Sequence, residues 1–496
     1  MKRNLNSTLA KTLLIALFVF FSFQNTILAQ DKAAKIDEFI QVFHDYGLFS
    51  GTVLVAANGK VLFKKGYGMA NIEWNIPNEP NTKFRIGSIT KQFTSMLILQ
   101  LVEQGKIDLE GKLSDYLPYY RKDTGEKITI HHLLTHTSGV PSYTSLPKFF
   151  EEISRNPYPV KEFIQNYCSG DLEFEPGSKF NYSNSGYFIL GAVIEEVTGK
   201  TYEDVLKEKI LDPLGMKGTG YDHHNTIIKN RATGYQKTLD GYENSPYLDM
   251  SLPYAAGSLY STVEDLYLWD QALYTEKLLS KKMKDQMFKG HIKALGQGYG
   301  YGWVIGKKKL PGSKEELNTI SHGGGINGFN TLIERFVDDR HLVVLFNNAP
   351  QASLANMSDG VIKILYDKPY KNKTPKKSIA EMIYRTYKGK GVEAALKQYQ
   401  ELKEKAPKEY NFAANELNTL GYHLLNQKKK PKDAIEIYKF NVKVNPKYAN
   451  GYDSLAEAYM INGDKTLAIK NFAKSLEMNP RNTNAVEKLK ELIKEK

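Results

Sequence analysis

FRIGSITKQFTSMLILQLVEQGK, Phe84 to Lys106, places a serine and a lysine three residues apart at the head of a run that turns almost wholly apolar from Met96 to Val102. Residues three apart on a helix share a face, with Cβ atoms roughly 5–6 Å apart. Ser88 and Lys91 can therefore touch. Gly87 permits a tight approach, and Ser88 is expected to open the helix with its hydroxyl at the positive end of the helix dipole, where a developing alkoxide is favoured. A lysine one turn inside an apolar helix is desolvated, which disfavours its charged form and leaves an amine able to take or relay the serine proton. S-x-x-K by itself also describes a helix cap followed by a lysine that reaches solvent. The pair needs partners.

Two follow in the chain. FNYSNSGY, Phe180 to Tyr187, contains Tyr182-Ser183-Asn184, in which a phenol can serve as acid or base and an amide can grip a substrate carbonyl. ISHGGGINGF, Ile320 to Phe329, contains His322-Gly323-Gly324. Glycines on a strand edge allow close backbone approach, and a following N–H can face an oxyanion.

With ITIHHLLTHTSGVPSY, FEPGSKFNYSNSGYFILGAVIEEVTGKTY, PLGMKGT, AAGSLYSTVEDL and YGYGWVI in this order, the chain resembles the class C β-lactamase and penicillin-binding-protein-like serine hydrolases over nearly all of residues 35–350, in particular their esterase and D-aminopeptidase-like branch. The resemblance implies an α+β fold, an antiparallel sheet flanked by helices plus a helical insertion, with the active site in the cleft where they meet. It implies that Ser88 is the acylated nucleophile and that Lys91 and Tyr182 move its proton, the principal base of the two being left open. Asn184 would orient the substrate amide and Lys91, while His322 and Gly324 would face substrate. The backbone N–H groups of Ser88 and Gly325 would form the oxyanion hole. No cofactor or metal is implied.

The third motif departs from the β-lactamase pattern. His322 stands where those enzymes keep a lysine, whose permanent charge attracts the carboxylate of β-lactams and D-alanyl peptides. A histidine near its ordinary pKa of about 6.5 is mostly neutral at pH 7. The expected substrate is thus an ester, an amide or a D-amino-acid-containing peptide. The alternatives are a true β-lactamase or D-alanyl-D-alanine carboxypeptidase, and a non-catalytic scaffold that binds peptides through its C-terminal repeats.

Around these motifs the pattern is mixed. TVLVAANGKVLFKKG reads as two strands joined at Asn58-Gly59, and TLIERFVDDRHLVVLFNN as a second hairpin turning near Asp338-Asp339. Helical patterns fill SNSGYFILGAVIEEVTG and STVEDLYLWDQAL, where Ser261-Thr262 precedes Glu264 as a capped start. Hairpins at both ends with helices between favour α+β over alternating βαβ units.

The 496 residues exceed one ordinary domain, and 41% hydrophobic with 25% charged residues excludes bulk disorder. Residues 1–29 have the basic start, short apolar run (Leu13 to Phe23) and small residue (Ala29) of a secretory signal peptide, which predicts a secreted or periplasmic protein with no transmembrane anchor after cleavage. The only cysteine, Cys168, excludes an intramolecular disulfide and reads as a small buried apolar residue. Of the net charge of +12, residues 1–30 carry +3, residues 31–370 carry −2 and residues 371–496 carry +11. Lysines on solvated helix faces account for the basic tail, and no nucleic-acid partner is expected. His132 and His136 lie four apart, with His131, His223 and His224 as further metal candidates. There is no H-E-x-x-H, and none is expected to bind metal.

YDKPYKNKTPKKS marks a linker, residues 371–378, after the hydrolase-like region 31–370. Beyond it KDAIEIYKFNVKVNPKY and KTLAIKNFAKSLEMNPRN superpose at an offset of 34, placing Ala434 on Ala468, Tyr438 on Phe472 and Pro446 on Pro480. That period is the tetratricopeptide one and predicts an all-α repeat domain over 379–496, with a protein or peptide as its partner.

Overall fold

In a computed structural model the described residues are 29–294, 296–312, 316–370 and 375–494. Residues 1–28, and with them nearly all of the expected signal peptide, lie outside the described residues, as do positions 371–374 of the expected linker. One compact unit takes in Met1–Gln236 and Asn244–Asn372, the other Lys237–Glu243 and Lys373–Lys496. The sequence-based boundary falls at 370, with 31–370 read as one region; the compact units divide near residue 372, with Lys237–Glu243 grouped in the second.

The first unit is built on an eight-stranded sheet. The N-terminal hairpin pairs β1 (Gly51–Ala57) with β2 (Lys60–Tyr67), and the remaining strands are β3 (Ile292–Ala294), β4 (Gln297–Tyr299), β5 (Val304–Lys309), β6 (Glu316–Ile326), β7 (Phe329–Phe336) and β8 (His341–Asn347). Their order is β3-β4-β5-β6-β7-β8-β1-β2, every pairing antiparallel. Asn58 and Gly59 turn the first hairpin with φ of 51° and 73°, the left-handed pair that matches the twist of its strands. Because β1 pairs with β8, the two ends of the unit close one sheet.

Side chains alternate across a strand, so β1 and β8 feed two cores. Val53, Val55, Val343 and Leu345 pack with Phe39 and with Met357 and Val361 of the helix Leu354–Leu365. Leu54, Ala56, Val344 and Phe346 join the larger core around α1 (Thr90–Glu103). Every α1 residue from Thr90 to Leu99 is buried. Phe93 stacks on Trp269 at 4.5 Å, and Trp269 Nε1 donates to Gln92 Oε1 at 3.0 Å, a ring pairing that adds about 0.5–1.5 kcal/mol beyond area burial. The expected helices form as α2 (Asn184–Thr198), capped by Ser183 and ended by Gly199 at φ 65°, and α3 (Val263–Leu273), capped by Thr262 through the Asp265 N–H.

The second unit is helical: α4 (Ile379–Lys405, kinked at Gly391), α5 (Ala414–Tyr422), α6 (Pro431–Val444), α7 (Ala449–Asn462), α8 (Lys465–Met478) and α9 (Thr483–Lys494). Lys377–Ser378 pairs with Tyr410–Asn411, so the last two residues of the expected linker are ordered in a short parallel ladder. Gly421, which stands where the repeat pattern wants an apolar side chain, is required there. A Cβ would fall 2.3 Å from the Tyr438 ring. Also within this unit, Asp240 accepts from Tyr384 Oη at 3.0 Å and from Lys428 Nζ at 2.7 Å.

Candidate active site

Three backbone approaches fix where Ser88 sits. The Ile86 N–H donates to Leu259 O at 2.9 Å, Thr331 Oγ1 of β7 donates to Ile86 O at 2.9 Å, and Gly87 turns at φ 51° against Gly325 of β6. A Cβ on Gly324 would lie 1.9 Å from Ile86 O. This corrects one expectation: the missing side chain of Gly324 is spent on packing β6 against the chain before Ser88, not on substrate. Around the Cβ direction of Gly325 the space is open, and Gly325 lines the cleft. Ser88 itself lies in a 3₁₀ turn, Gly87–Ile89, and the α-helix starts at Thr90 with no side-chain cap. Its hydroxyl is therefore not consumed in capping the helix, as a residue opening the helix would be.

Lys91 is 0% exposed. Its Nζ lies 2.9 Å from Asn184 Oδ1, 2.8 Å from Ala256 O and 3.1 Å from Ser88 Oγ, with the Tyr182 ring centroid at 4.9 Å. Burial drives its pKa well below the ordinary lysine value. A neutral amine has two N–H groups and one lone pair. The two carbonyl oxygens can only accept, so they take the two N–H groups, and the lone pair falls to the one neighbour that can donate, the Ser88 hydroxyl. This is the geometry of a base poised on its nucleophile. Ala256, in the turn Tyr254–Gly257, is the participant that sequence reasoning missed; it acts through a backbone carbonyl, and no side chain announces it.

Tyr182 is half-buried and packs against His136, ring centroids 4.1 Å apart and planes tilted by 32°. Burial raises its phenol above the ordinary value and the adjacent Ser88 hydroxyl pulls it partly back. At neutral pH it is a proton donor rather than a ready phenolate. Asn184, the first residue of α2, is held by its own N–H on Ser142 Oγ at 3.1 Å and by Nδ2 on Thr144 Oγ1 at 3.2 Å. Its Oδ1 accepts from Lys91 Nζ at 2.9 Å.

His322 is placed differently from expectation. Both ring nitrogens are engaged within the protein, and its ring centroid lies 6.3 Å from that of Tyr182. The bonds can be given directions. The Ser183 N–H donates to His136 Nδ1 at 3.1 Å, so neutral His136 carries its proton on Nε2 and donates it to Tyr299 Oη at 3.1 Å. Tyr299 Oη stands 3.1 Å from His322 Nε2, while His322 Nδ1 stands 2.6 Å from Gly323 O, which can only accept. His322 is thus the Nδ1–H tautomer and Tyr299 donates to it. Burial, and then the Lys91 amine, lower His322 to about 4, the Gly323 carbonyl opposing. It supplies no cation, and its nitrogens are unavailable to substrate in this arrangement.

The remaining histidines are scattered. His131 Nδ1 meets Tyr301 Oη at 2.8 Å and His132 Nδ1 accepts from the Thr129 N–H at 3.2 Å, while His136 faces the interior. Among the described residues no group of three or more His, Cys, Asp or Glu is arranged to hold a metal ion. Tyr299, Tyr301 and Trp303 are buried packing residues, with Tyr299 adding the hydrogen bond to His322.

A cleft with ≈ 540 Å³ of atom-free space, part of it open to solvent, runs from Ser88 and Asn184 past Tyr143, Phe149 and Leu252 to Gly325. Residues 33–364 match the Beta-lactamase family model. The chain belongs to that family. Of its curated relatives, Penicillin-binding protein 4* of Bacillus subtilis is 30% identical over 399 residues, covering 73% of this chain and 83% of the relative. Teichoic acid D-alanine hydrolase of Staphylococcus aureus is 30% identical over 346 residues, covering 69% of this chain and 80% of the relative. Among solved structures, a penicillin-binding protein from Bacillus halodurans superposes with a TM-score of 0.57 at 29% identity, covering 66% of this chain and 98% of that one. As a Beta-lactamase family member the chain is a serine-hydrolase-like protein related to penicillin-binding proteins and teichoic acid D-alanine hydrolases. Among the described residues no helix is long and apolar enough to cross a membrane.

Proposed function

We propose that the protein is a secreted or periplasmic serine hydrolase that works through an acyl-enzyme on an ester, an amide or a D-amino-acid-containing peptide. The observation that carries this reading is the pair of carbonyl acceptors around Lys91, Asn184 Oδ1 and Ala256 O, which leaves its lone pair to Ser88. Ser88 Oγ attacks the carbonyl as its proton passes to Lys91 Nζ, and the carbonyl electron pair moves onto oxygen between the N–H groups of Ser88 and Gly325. The carbon–heteroatom bond then breaks, and the leaving group takes the proton from Lys91 directly or through Tyr182. Water repeats the sequence in reverse and releases the acid. Asn184 holds Lys91 and offers its amide to substrate. His322 acts through Tyr299 rather than on substrate.

A second reading, a true β-lactamase or D-alanyl-D-alanine carboxypeptidase, is favoured by the likeness to penicillin-binding proteins. Acylation of Ser88 by a β-lactam fits the same machinery, whereas capture of a substrate carboxylate lacks the lysine that His322 replaces. Labelling by a fluorophosphonate and by a fluorescent penicillin tests both. The fluorophosphonate is expected to mark wild type and not Ser88→Ala; equal labelling of the two would overturn the mechanism, and labelling by penicillin alone would select the second reading.

The helical unit we read as tetratricopeptide repeats that bind a protein or peptide. Helices α6 and α8 support this, both 14 residues long and starting 34 residues apart at Pro431 and Lys465. Binding of a peptide library to full-length protein, with competition by individual hits, tests it.

A further inference from the structure

The cleft beside Ser88 carries a chemical signature of its own. Its far wall is Tyr143, Phe149 and Phe150 from one side and Leu248 and Leu252 from the other, with Ile326 at the end of β6. Phe149 and Leu252 are fully interior, whereas Phe150 is 55% exposed and stands at the mouth. The polar groups lining it are neutral: Ser88, Thr144, Asn184 and Asn327, the last tied through Nδ2 to Pro246 O at 2.8 Å. Among the described residues, none of the side chains lining it is a carboxylate, an ammonium, a guanidinium or an imidazole.

None of the charges nearest along the chain lines the cleft, the exposed Glu151 beside Phe150 included. Asp249 accepts from Tyr247 Oη at 3.1 Å and from the Ser251 N–H at 3.0 Å, and Glu152 pairs with Lys148 at 2.9 Å. Lys91 is buried and donates to Asn184 and Ala256, and His322 is bound at both nitrogens. A charged group entering this cleft would exchange its water shell for aromatic and aliphatic surface with no opposite charge to meet it, a transfer that costs several-fold to many-fold in affinity. An apolar or aromatic group gains from the same surface.

We propose that this cleft is the acyl subsite and that it selects an uncharged, apolar acyl group: an N-blocked D-aminoacyl residue or an aryl or alkyl acid, in preference to a D-aminoacyl group with a free α-ammonium or an acyl group bearing a free carboxylate. The inference rests on the acyl-enzyme reading of Ser88 and narrows it to a substrate class. Selection is made before chemistry, at binding. It also places the site on the side of substrates already capped at the amine, such as the product of an N-acylating reaction.

Four thioesters with one common leaving group test this on the full-length enzyme: phenylacetyl, N-acetyl-D-alanyl, free D-alanyl and succinyl. The two uncharged acyl groups are expected to exceed the two charged ones in kcat/KM by at least about tenfold, with the gap in KM. Phe150→Asp, a change at an exposed position, is expected to bring free D-alanyl up at least about threefold relative to N-acetyl-D-alanyl by setting a carboxylate at the mouth. Fluorophosphonate labelling of Ser88 in the same preparation separates the two failures. Labelled enzyme that prefers the free-ammonium or the succinyl thioester overturns the subsite; enzyme that turns over the neutral thioesters equally well as Ser88→Ala overturns the acyl-enzyme reading beneath it.

Discussion

Two buried cations stand in the same unit and meet opposite fates. Arg335, on β7 and 1% exposed, has the Asp270 carboxylate of α3 at 2.6 Å and lies over the rings of Tyr274, Phe288 and Trp303. Lys91, equally buried, has two carbonyl oxygens and a hydroxyl and no carboxylate. A guanidinium with its counter-ion stays charged and ties a sheet to a helix. An amine without one loses its proton and becomes a base. Burial is common to both; the head group and its partner together decide whether the side chain is structural or reactive.

Breaking each side separates the two roles. Lys91→Met removes the base and a desolvated amine together. It is expected to lower kcat/KM on a p-nitrophenyl ester by about 10³–10⁴-fold while leaving stability to urea equal to or above wild type. The linkage has a definite sign. Lys91 is neutral when folded and protonated when unfolded, so wild-type stability gains a rising contribution with pH between the lowered folded pKa and about 10.4, and Lys91→Met loses that slope. Urea midpoints across pH 7–10 measure it.

Arg335→Met does the reverse. It leaves Asp270 buried and unpaired, and a loss of about 3–5 kcal/mol is expected. The folded fraction keeps its ester kcat/KM near wild type, because Arg335 touches none of the groups around Ser88. A loss of activity in fully folded protein would mean that the two cations are coupled.

A third charge sharpens the contrast from outside the core. Asp240 is held at about 2 by Lys428 first, burial opposing, with help from Tyr384. Its pair is partly exposed, so Asp240→Asn is expected to cost under about 1 kcal/mol. The contribution is present above the ordinary carboxylate pKa and is lost as pH falls towards 2; thermal midpoints of the variant and wild type should converge there.

Much of this was readable before any coordinates. Asn58-Gly59, Ser183 before α2 and Thr262 before α3 are local signals, and local geometry obeyed them. Ser88, Lys91 and Asn184 come together, with the Tyr182 ring 4.9 Å from the Lys91 amine, because each motif carries its own side chain to one point. What escaped reading acts through backbone or through distance. Ala256 contributes a carbonyl, which every residue has. His136 stands in a left-handed turn, φ 57°, and in the chain Ser183–His136–Tyr299–His322 the link from His136 to Tyr299 spans 163 residues. Gly324 was expected at substrate because a glycine shows only that something comes close, not what; here it is the Ile86 carbonyl.

The protonation state of Lys91 tests the account most directly. With lysine labelled at Nζ and Cε, and the Lys91 signal assigned by its absence in Lys91→Met, NMR titration of the folded protein should show Lys91 neutral at pH 8, titrating well below the other lysines. A Lys91 signal that stays protonated to about pH 10, with the bulk of the lysines, would contradict the base assigned to Ser88.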